Sequence, residues 1–369
     1  MTWIALLLAD PSPLLRLQVL RNLLGRPQDD DEVIELQQLA PGDPLVQNIL
    51  MNQQPDGSWN SRSSDDSAAS TPVLATALML MRLGYLGLDS TVPEIQHGAE
   101  FLFSRQLADG SWPLPRTQEE GTAAGKTAAR ETAARDTAAR GSDSRDSYTM
   151  IPLQTALPLR GLAACGYAAD PRAERAYNWL LDKRLPDGSW PTGLAAGGVN
   201  GYVAGYRRMP HSRWGCRSNT TAALICLALH PERRHGDEAR RALDMLLGRE
   251  TREEFALGYE VARMIGAEPA HGFFTFHARF DLALLLRLCA LIGVSSDDDR
   301  VTSLVDFVRS LQGNYGLWHY NQKPQATRWL TCDLLQSLAL LENGSDPGNW
   351  ISLEPRTPFQ AYPQKKKRY

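Results

Sequence analysis

Two carboxylates stand where carboxylates are costly. Asp281 lies in Phe280-Asp281-Leu282-Ala283-Leu284-Leu285-Leu286, and Asp333 in Trp329-Leu330-Thr331-Cys332-Asp333-Leu334-Leu335. An unpaired carboxylate buried in such a run is strongly disfavoured. Each therefore reads as one of two things. It is a member of an ion pair, with Arg279 or a cation on another helix as the partner of Asp281. Otherwise it is held protonated, the state a general acid needs. Asp65 and Asp66 sit in Ser63-Ser64-Asp65-Asp66-Ser67-Ala68, which on its own reads as a polar loop capping the next helix. The acidic runs at 29–32 and 297–299 read as helix starts, where acids complement the dipole. His277 precedes Asp281 by four residues, the spacing of one helix face. No Walker loop, dinucleotide fingerprint or His-Glu-x-x-His is present, and the Gly-rich stretch 193–205 reads as a loop. Cys165, Cys226 and Cys289 lie in apolar stretches and read as core.

What positions these residues is a repeat. Gln53-Gln54-Pro55-Asp56-Gly57-Ser58-Trp59 recurs as Gln106-Leu107-Ala108-Asp109-Gly110-Ser111-Trp112 and as Arg184-Leu185-Pro186-Asp187-Gly188-Ser189-Trp190. Gln312-Gly313-Asn314-Tyr315-Gly316-Leu317-Trp318 is a degenerate copy. Trp59 and Trp112 are 53 residues apart, and Trp190 and Trp318 are 128 apart, so a fifth copy is expected to have decayed between the last two. Asp-Gly makes a tight turn with Gly at positive φ. Gln caps backbone groups, and Trp covers the junction with its apolar face. The motif reads as a staple between helices, not as a catalytic element.

Between the staples the apolar period is helical, near residues 12–24, 46–52, 72–83, 92–106, 150–165, 171–183, 218–229, 237–247, 276–292, 299–311 and 329–342. Some of these helices are apolar nearly all round, as residues 282–290 are. Others, such as 172–183, are amphipathic. The alternation predicts an all-α chain in two concentric layers.

Composition narrows the rest. A net charge of −3 argues against nucleic-acid binding by bulk charge. Five Cys, an odd number, do not make a disulfide scaffold. With 43% hydrophobic residues the chain has ample surface to bury. Residues 1–8 are apolar but too short for a signal peptide or a span, so the expectation is a soluble cytoplasmic protein with reduced thiols. The cluster at 365–368 reads as a solvated end, with weak peripheral attraction to an anionic membrane as the alternative. Tandem Lys-Thr-Ala-Ala-Arg, Glu-Thr-Ala-Ala-Arg and Asp-Thr-Ala-Ala-Arg at 126–140 fit neither a helix face nor a strand. They read as an insertion, either a spacer or a mobile cover over one end of the barrel.

The Gln-x-x-Asp-Gly-Ser-Trp copies resemble the QW motifs of squalene–hopene cyclases. The layered helices resemble the α/α toroid of the terpenoid-cyclase and protein-prenyltransferase superfamily. The chain looks most like short bacterial proteins described as prenyltransferase and squalene-oxidase repeat proteins, with residues 10–27 and 318–338 carrying that likeness. The resemblance implies a single α/α toroid of about six inner and five to six outer helices. Residues 1–115 and 148–345 would form it, with 116–147 an insertion and 346–369 a C-terminal tail. Inner helices of such a toroid run parallel. Here they would begin near Ser12, Ser70, Tyr148, Cys216, His277 and Trp329 and share one chamber.

Squalene–hopene cyclases protonate an alkene with an Asp-x-Asp-Asp-Thr-Ala motif at an inner-helix start. The match here is Ser63 to Ala68, with Asp65 at the proton donor and Asp66 at its neighbour; Ser63 and Ser67 replace the first Asp and the Thr. Asp281 and Asp333 are the further candidates for the acid or its partner. Such cyclases line their cavity with aromatics because π faces stabilise carbocations. The residues expected to contact substrate are Tyr148, Tyr206, Trp214, Phe276, His277, Phe280 and Trp329, though aromatics there would also fill a closed centre. No cofactor is expected on this reading. The prenyltransferase branch implies instead one zinc, for which Cys216, His277 and Cys332 are the candidate ligands, with His211 and Asp281 as further donors. The Asp-x-Cys pair of the prenyltransferases is not present. The leading expectation is a proton-initiated cyclase acting on a linear isoprenoid. A non-catalytic toroid holding a lipid or a protein segment is the alternative, and a zinc-dependent prenyltransferase-like enzyme is the second.

Overall fold

Proline in the first turn, with a side-chain oxygen just before it, sets where many of the helices begin. Ser12 accepts from the Leu15 N–H and Thr71 from the Leu74 N–H, each one residue ahead of such a proline. The computed structural model describes residues 2–60, 71–112, 151–194, 202–203, 209, 211–248, 256–268, 278–295, 297–343, 350 and 356–360.

Among them the helices are α1 (Thr2–Leu8), α2 (Pro13–Gln18, continued by a π turn over Val19–Leu23), α3 (Asp31–Leu39), α4 (Pro44–Leu50), α5 (Pro72–Tyr85), α6 (Pro93–Ser104), α7 (Pro152–Ala164), α8 (Pro171–Asp182), α9 (Arg217–Leu229), α10 (Asp237–Leu247), α11 (Tyr259–Met264), α12 (Leu282–Ile292), α13 (Asp299–Ser310) and α14 (Thr327–Asn343). Besides short 3-10 turns, the described residues include a two-residue ladder, Gly193–Leu194 antiparallel to Tyr202–Val203. The all-α expectation holds.

The helices divide by burial as the sequence predicts. In α5, α7, α9 and α12 nearly every face is buried, whereas α8 and α13 bury one stripe each. Packing runs in order from α5 to α7, α9, α12 and α14, and α14 returns to α2 and its π turn. Gln18 at the end of α2 donates to the Tyr85 carbonyl at the end of α5 (3.1 Å) and joins the first inner helix to the second. At the crossing of α5 and α7 the backbones nearly touch: a Cβ on Gly161 would stand 2.7 Å from the Ala77 carbonyl oxygen, and one on Gly84 2.5 Å from that of Ala164.

The staples tie the two layers together. Each Trp indole N–H donates to a carbonyl ten residues back in the preceding outer helix: Trp59 to Ile49, Trp112 to Leu102, Trp190 to Leu180 and Trp318 to Val308, at 2.6–2.8 Å. Each Trp backbone N–H donates to a threonine hydroxyl in the next inner helix, namely Thr76, Thr155, Thr220 and Thr331. Gln53 and Gln106 reach further and donate to the Glu94 and Arg172 carbonyls in the outer helix after that. Gly57, Gly110, Gly188 and Gly316 all take positive φ, as the turn requires. The midpoint of the long gap falls within 249–255, outside the described residues.

Some elements differ from expectation. The inner helix read from residue 276 begins at Leu282, because Asp281 caps it. The short helices α1 and α11 have no counterpart among the helices read from the sequence, which marks α3 only as a start at its acidic run. Residues 113–150, which contain the Thr-Ala-Ala-Arg tandem, lie outside the described residues. Within the segment expected as a tail, Trp350 is buried and donates to Asp298, and Thr357 donates to Asp244.

Candidate functional site

A helix that touches α5, α7, α12 and α14 at once lies within their ring, and α11 does so. It brings charge with it. Glu260 is 6% exposed and Arg263 2%. Glu260 accepts from Arg160 of α7 and from Arg263 one turn on (2.8 and 3.0 Å). Burial alone would raise the Glu260 carboxyl, but the two guanidiniums outweigh it and hold the group at about 2. Glu260 is therefore a fixed anion.

Among the described residues no cation pairs with Asp281; Oδ1 accepts from the Ala283 and Leu284 N–H groups, and Oδ2 from the Glu260 N–H (3.0 Å). It caps α12 and fastens the start of α11 to it. Burial dominates its titration and raises it to about 6, against the backbone donors that lower it. Asp333 does pair: Arg287 of α12 donates to its Oδ1 at 2.5 Å. Burial nevertheless raises its carboxyl, with Arg287 pulling the other way. Tyr85 stands close by. Burial, with Asp333 adding to it, pushes its phenol well above the ordinary range.

These groups share a wall. A cavity of about 240 Å³ lies where the inner helices end, lined by Gly84 and Tyr85 of α5, Ala164 of α7, Leu229 of α9 and Leu291 of α12. Met81, Ile225, Met264, Leu284 and Leu288 make it apolar, while Arg160, Glu260, Arg287 and Asp333 make one side polar. Tyr85 and Arg287 also border a more polar groove of about 440 Å³ that holds Gln18, Arg21, Asn22 and Asp89. On the other side Tyr85 meets Trp329, with ring centroids 6.1 Å apart. Trp329 in turn lines a third space of about 780 Å³ at the starts of α2, α4 and α14, with Asp10, Asp43 and Arg328.

The structure thus joins Asp333, Tyr85 and Trp329, and sets Asp281 one layer behind Glu260. Phe280 and Trp214 stand elsewhere. The Arg217 guanidinium lies 3.7 Å over the Phe280 ring, and that of Arg213 lies 4.9 Å over Trp214. Asp65, Asp66, Tyr148, Tyr206, Phe276 and His277 lie outside the described residues. Among the described residues no three His, Cys, Asp or Glu side chains converge as metal ligands. Cys216 and Cys332 are both buried and not in a disulfide, and burial pushes the Cys332 thiol up to about 12.

Sequence reading missed Arg160, Glu260 and Arg263. The available signal was Arg160 itself, a cation in a helix otherwise buried all round. No helix among the described residues is long and apolar enough to cross a membrane.

No protein-family profile matches the chain, and no curated protein matches it in sequence. Solved structures do. One is a protein from Actinoplanes (16% identity, TM-score 0.39, covering 93% of this chain and 90% of that one). Another is the type II terpene cyclase MstE from Scytonema in its apo form (14%, 0.32, 81% and 96%). A third is an MstE variant in complex with geranylgeranyl dihydroxybenzoate, named there as substrate (14%, 0.31, 80% and 95%). At such low scores the chemistry of the cavity, not the likeness, has to carry the functional reading.

Proposed function

We propose that the protein binds a slender linear hydrocarbon, an isoprenoid in the first instance. Its chain lies in the 240 Å³ cavity and its polar end faces the polar side that Arg160, Glu260, Arg287 and Asp333 make. The composition of the wall carries this reading: one continuous apolar face opposed by a few convergent polar groups, as in small-molecule pockets generally. The volume falls a little below the usual range of roughly 300–1,000 Å³, which favours a short chain over one as long as squalene.

A second reading is proton-initiated cyclisation of such a chain with Asp333 as the acid. The burial that raises its carboxyl at the wall of the same cavity favours it. An alkene is a very weak base, so the acid must be neutral when it donates. Arg287 has then to leave Asp333, and its side chain, 37% exposed, borders the outer groove that would receive it. Asp281 acts here as a positioning residue through α11. Asp65 and Asp66 stand as further proposed acids.

Geraniol and geranyl diphosphate are the probes. Tryptophan fluorescence is expected to report saturable geraniol binding, weakened at least about tenfold by Leu284→Trp, which fills the cavity. Asp333→Asn is expected to keep binding within about twofold and to abolish any cyclised product in gas chromatography. Absence of saturable binding would overturn the first reading. Binding without product by the unaltered chain would overturn the second alone.

A further inference from the structure

The polar side of the cavity is one acceptor short. Arg160 is 8% exposed and lines the cavity. Its Nη2 is spent on Glu260, while its Nη1 is buried with no hydrogen-bond partner. Glu260 has little left to offer, because its two oxygens also take Nε and Nη2 of Arg263. A buried guanidinium nitrogen left without an acceptor is a standing cost. Arg160, Arg263 and Arg287 face Glu260 and Asp333, and Asp281 is held by backbone N–H donors at the start of α12. Among the described residues no acceptor meets Arg160 Nη1 beside the apolar chamber.

We propose that the ligand is an apolar chain ending in a carboxylate, and that this carboxylate accepts from Arg160 Nη1. The proposal rests on the cavity being the binding site and adds the chemical class of the head group. A guanidinium edge matches a planar carboxylate in shape and in charge. A hydroxyl head would fill the same space but give Arg160 Nη1 only an uncharged acceptor, a weaker bond than a carboxylate makes. A diphosphate is bulky for a cavity of about 240 Å³ already occupied by a chain.

The test uses two ligands with one chain, geranic acid and geraniol, titrated calorimetrically into the whole protein at neutral pH. The acid is expected to bind at least about tenfold more tightly than the alcohol. Arg160→Lys keeps the charge but removes the Nη1 donor geometry. It is expected to reduce that preference to about threefold or less. The ligand pair on the unaltered chain decides the matter even if the variant does not fold. Equal affinity for the two, or a preference for the alcohol, overturns the carboxylate proposal while leaving the cavity a binding site. Binding of neither overturns both.

Discussion

Trp112→Ala is expected to cost about 3–5 kcal/mol of stability, the scale of emptying a large buried aromatic site. Trp112 is 1% exposed, and more than volume is lost with it. The indole N–H to Leu102 O bond disappears, leaving that carbonyl near the end of α6 with the Arg105 N–H alone. Trp112→Phe separates the two effects. It keeps most of the apolar contact and removes the bond, so it should cost about 1–2 kcal/mol more than repacking alone. Urea midpoints at unchanged m-value measure both. The same change at Trp59 or Trp190 should behave alike, since each has the same donor and acceptor arrangement. A cost below about 1 kcal/mol for Trp112→Ala would mean that the staple is decorative.

Glu260→Gln is expected to destabilise the protein by about 3 kcal/mol at neutral pH, because it leaves the Arg160 and Arg263 guanidiniums facing each other across an uncharged amide. For a chain of this size that is a fall in Tm of roughly 5 °C. The pH dependence supplies an independent check. Glu260 has a folded-state value lowered from 4.5 to about 2. Its contribution is therefore present above 4.5 and lost as pH falls towards 2. Asp281 runs the other way. Its folded-state value is raised from 3.8 to about 6, so ionising it opposes folding, and stability declines as pH rises from about 4 to about 6. The two together put a shoulder of maximal stability near pH 4–5 in their joint contribution. Asp298, likewise held at about 2, shares the acid limb, so Glu260→Gln should make the acid limb of a Tm–pH curve shallower and leave the other limb in place. An unchanged acid limb would show that the Glu260 network does not set it.

The ring was legible because its signals are local. Prolines, caps and glycines mark element ends, and the Asp-Gly-Ser-Trp turn repeats at a readable spacing. Most helix limits fall within a few residues of the apolar period. The interior was not legible, for an equally physical reason. Arg and Glu on a six-residue segment read as solvent-facing, since such side chains are rarely buried. Only the surrounding helices reveal that Glu260 and Arg263 point inward. Asp281 deceived in the opposite sense. Apolar residues flank it on both sides, so the period runs straight through it, yet its backbone is extended (φ −148, ψ 130) and it ends one segment and begins another. Asp333 was identified correctly as a costly carboxylate, but its partner Arg287 lies 46 residues away on another helix.

The staples bear on how such a ring comes to be closed. Each one joins helices that follow one another directly, so nearly the whole circuit can be laid down by neighbours recognising neighbours, as in a linear array of repeats. One surface spans far more of the chain than the staples do. Arg328 pairs with Asp10 and Thr2 donates to the Tyr315 carbonyl, contacts between residues more than 300 positions apart. The largest loop-closure entropy falls on that surface, and the contacts of α11 with α5 and α7 close shorter loops. Before it forms, the molecule is an open coil of helix pairs, like a split washer. The join between α14 and α2 is therefore where the ring is expected to breathe, and it adjoins the roomiest of the three spaces, the one that Trp329 lines.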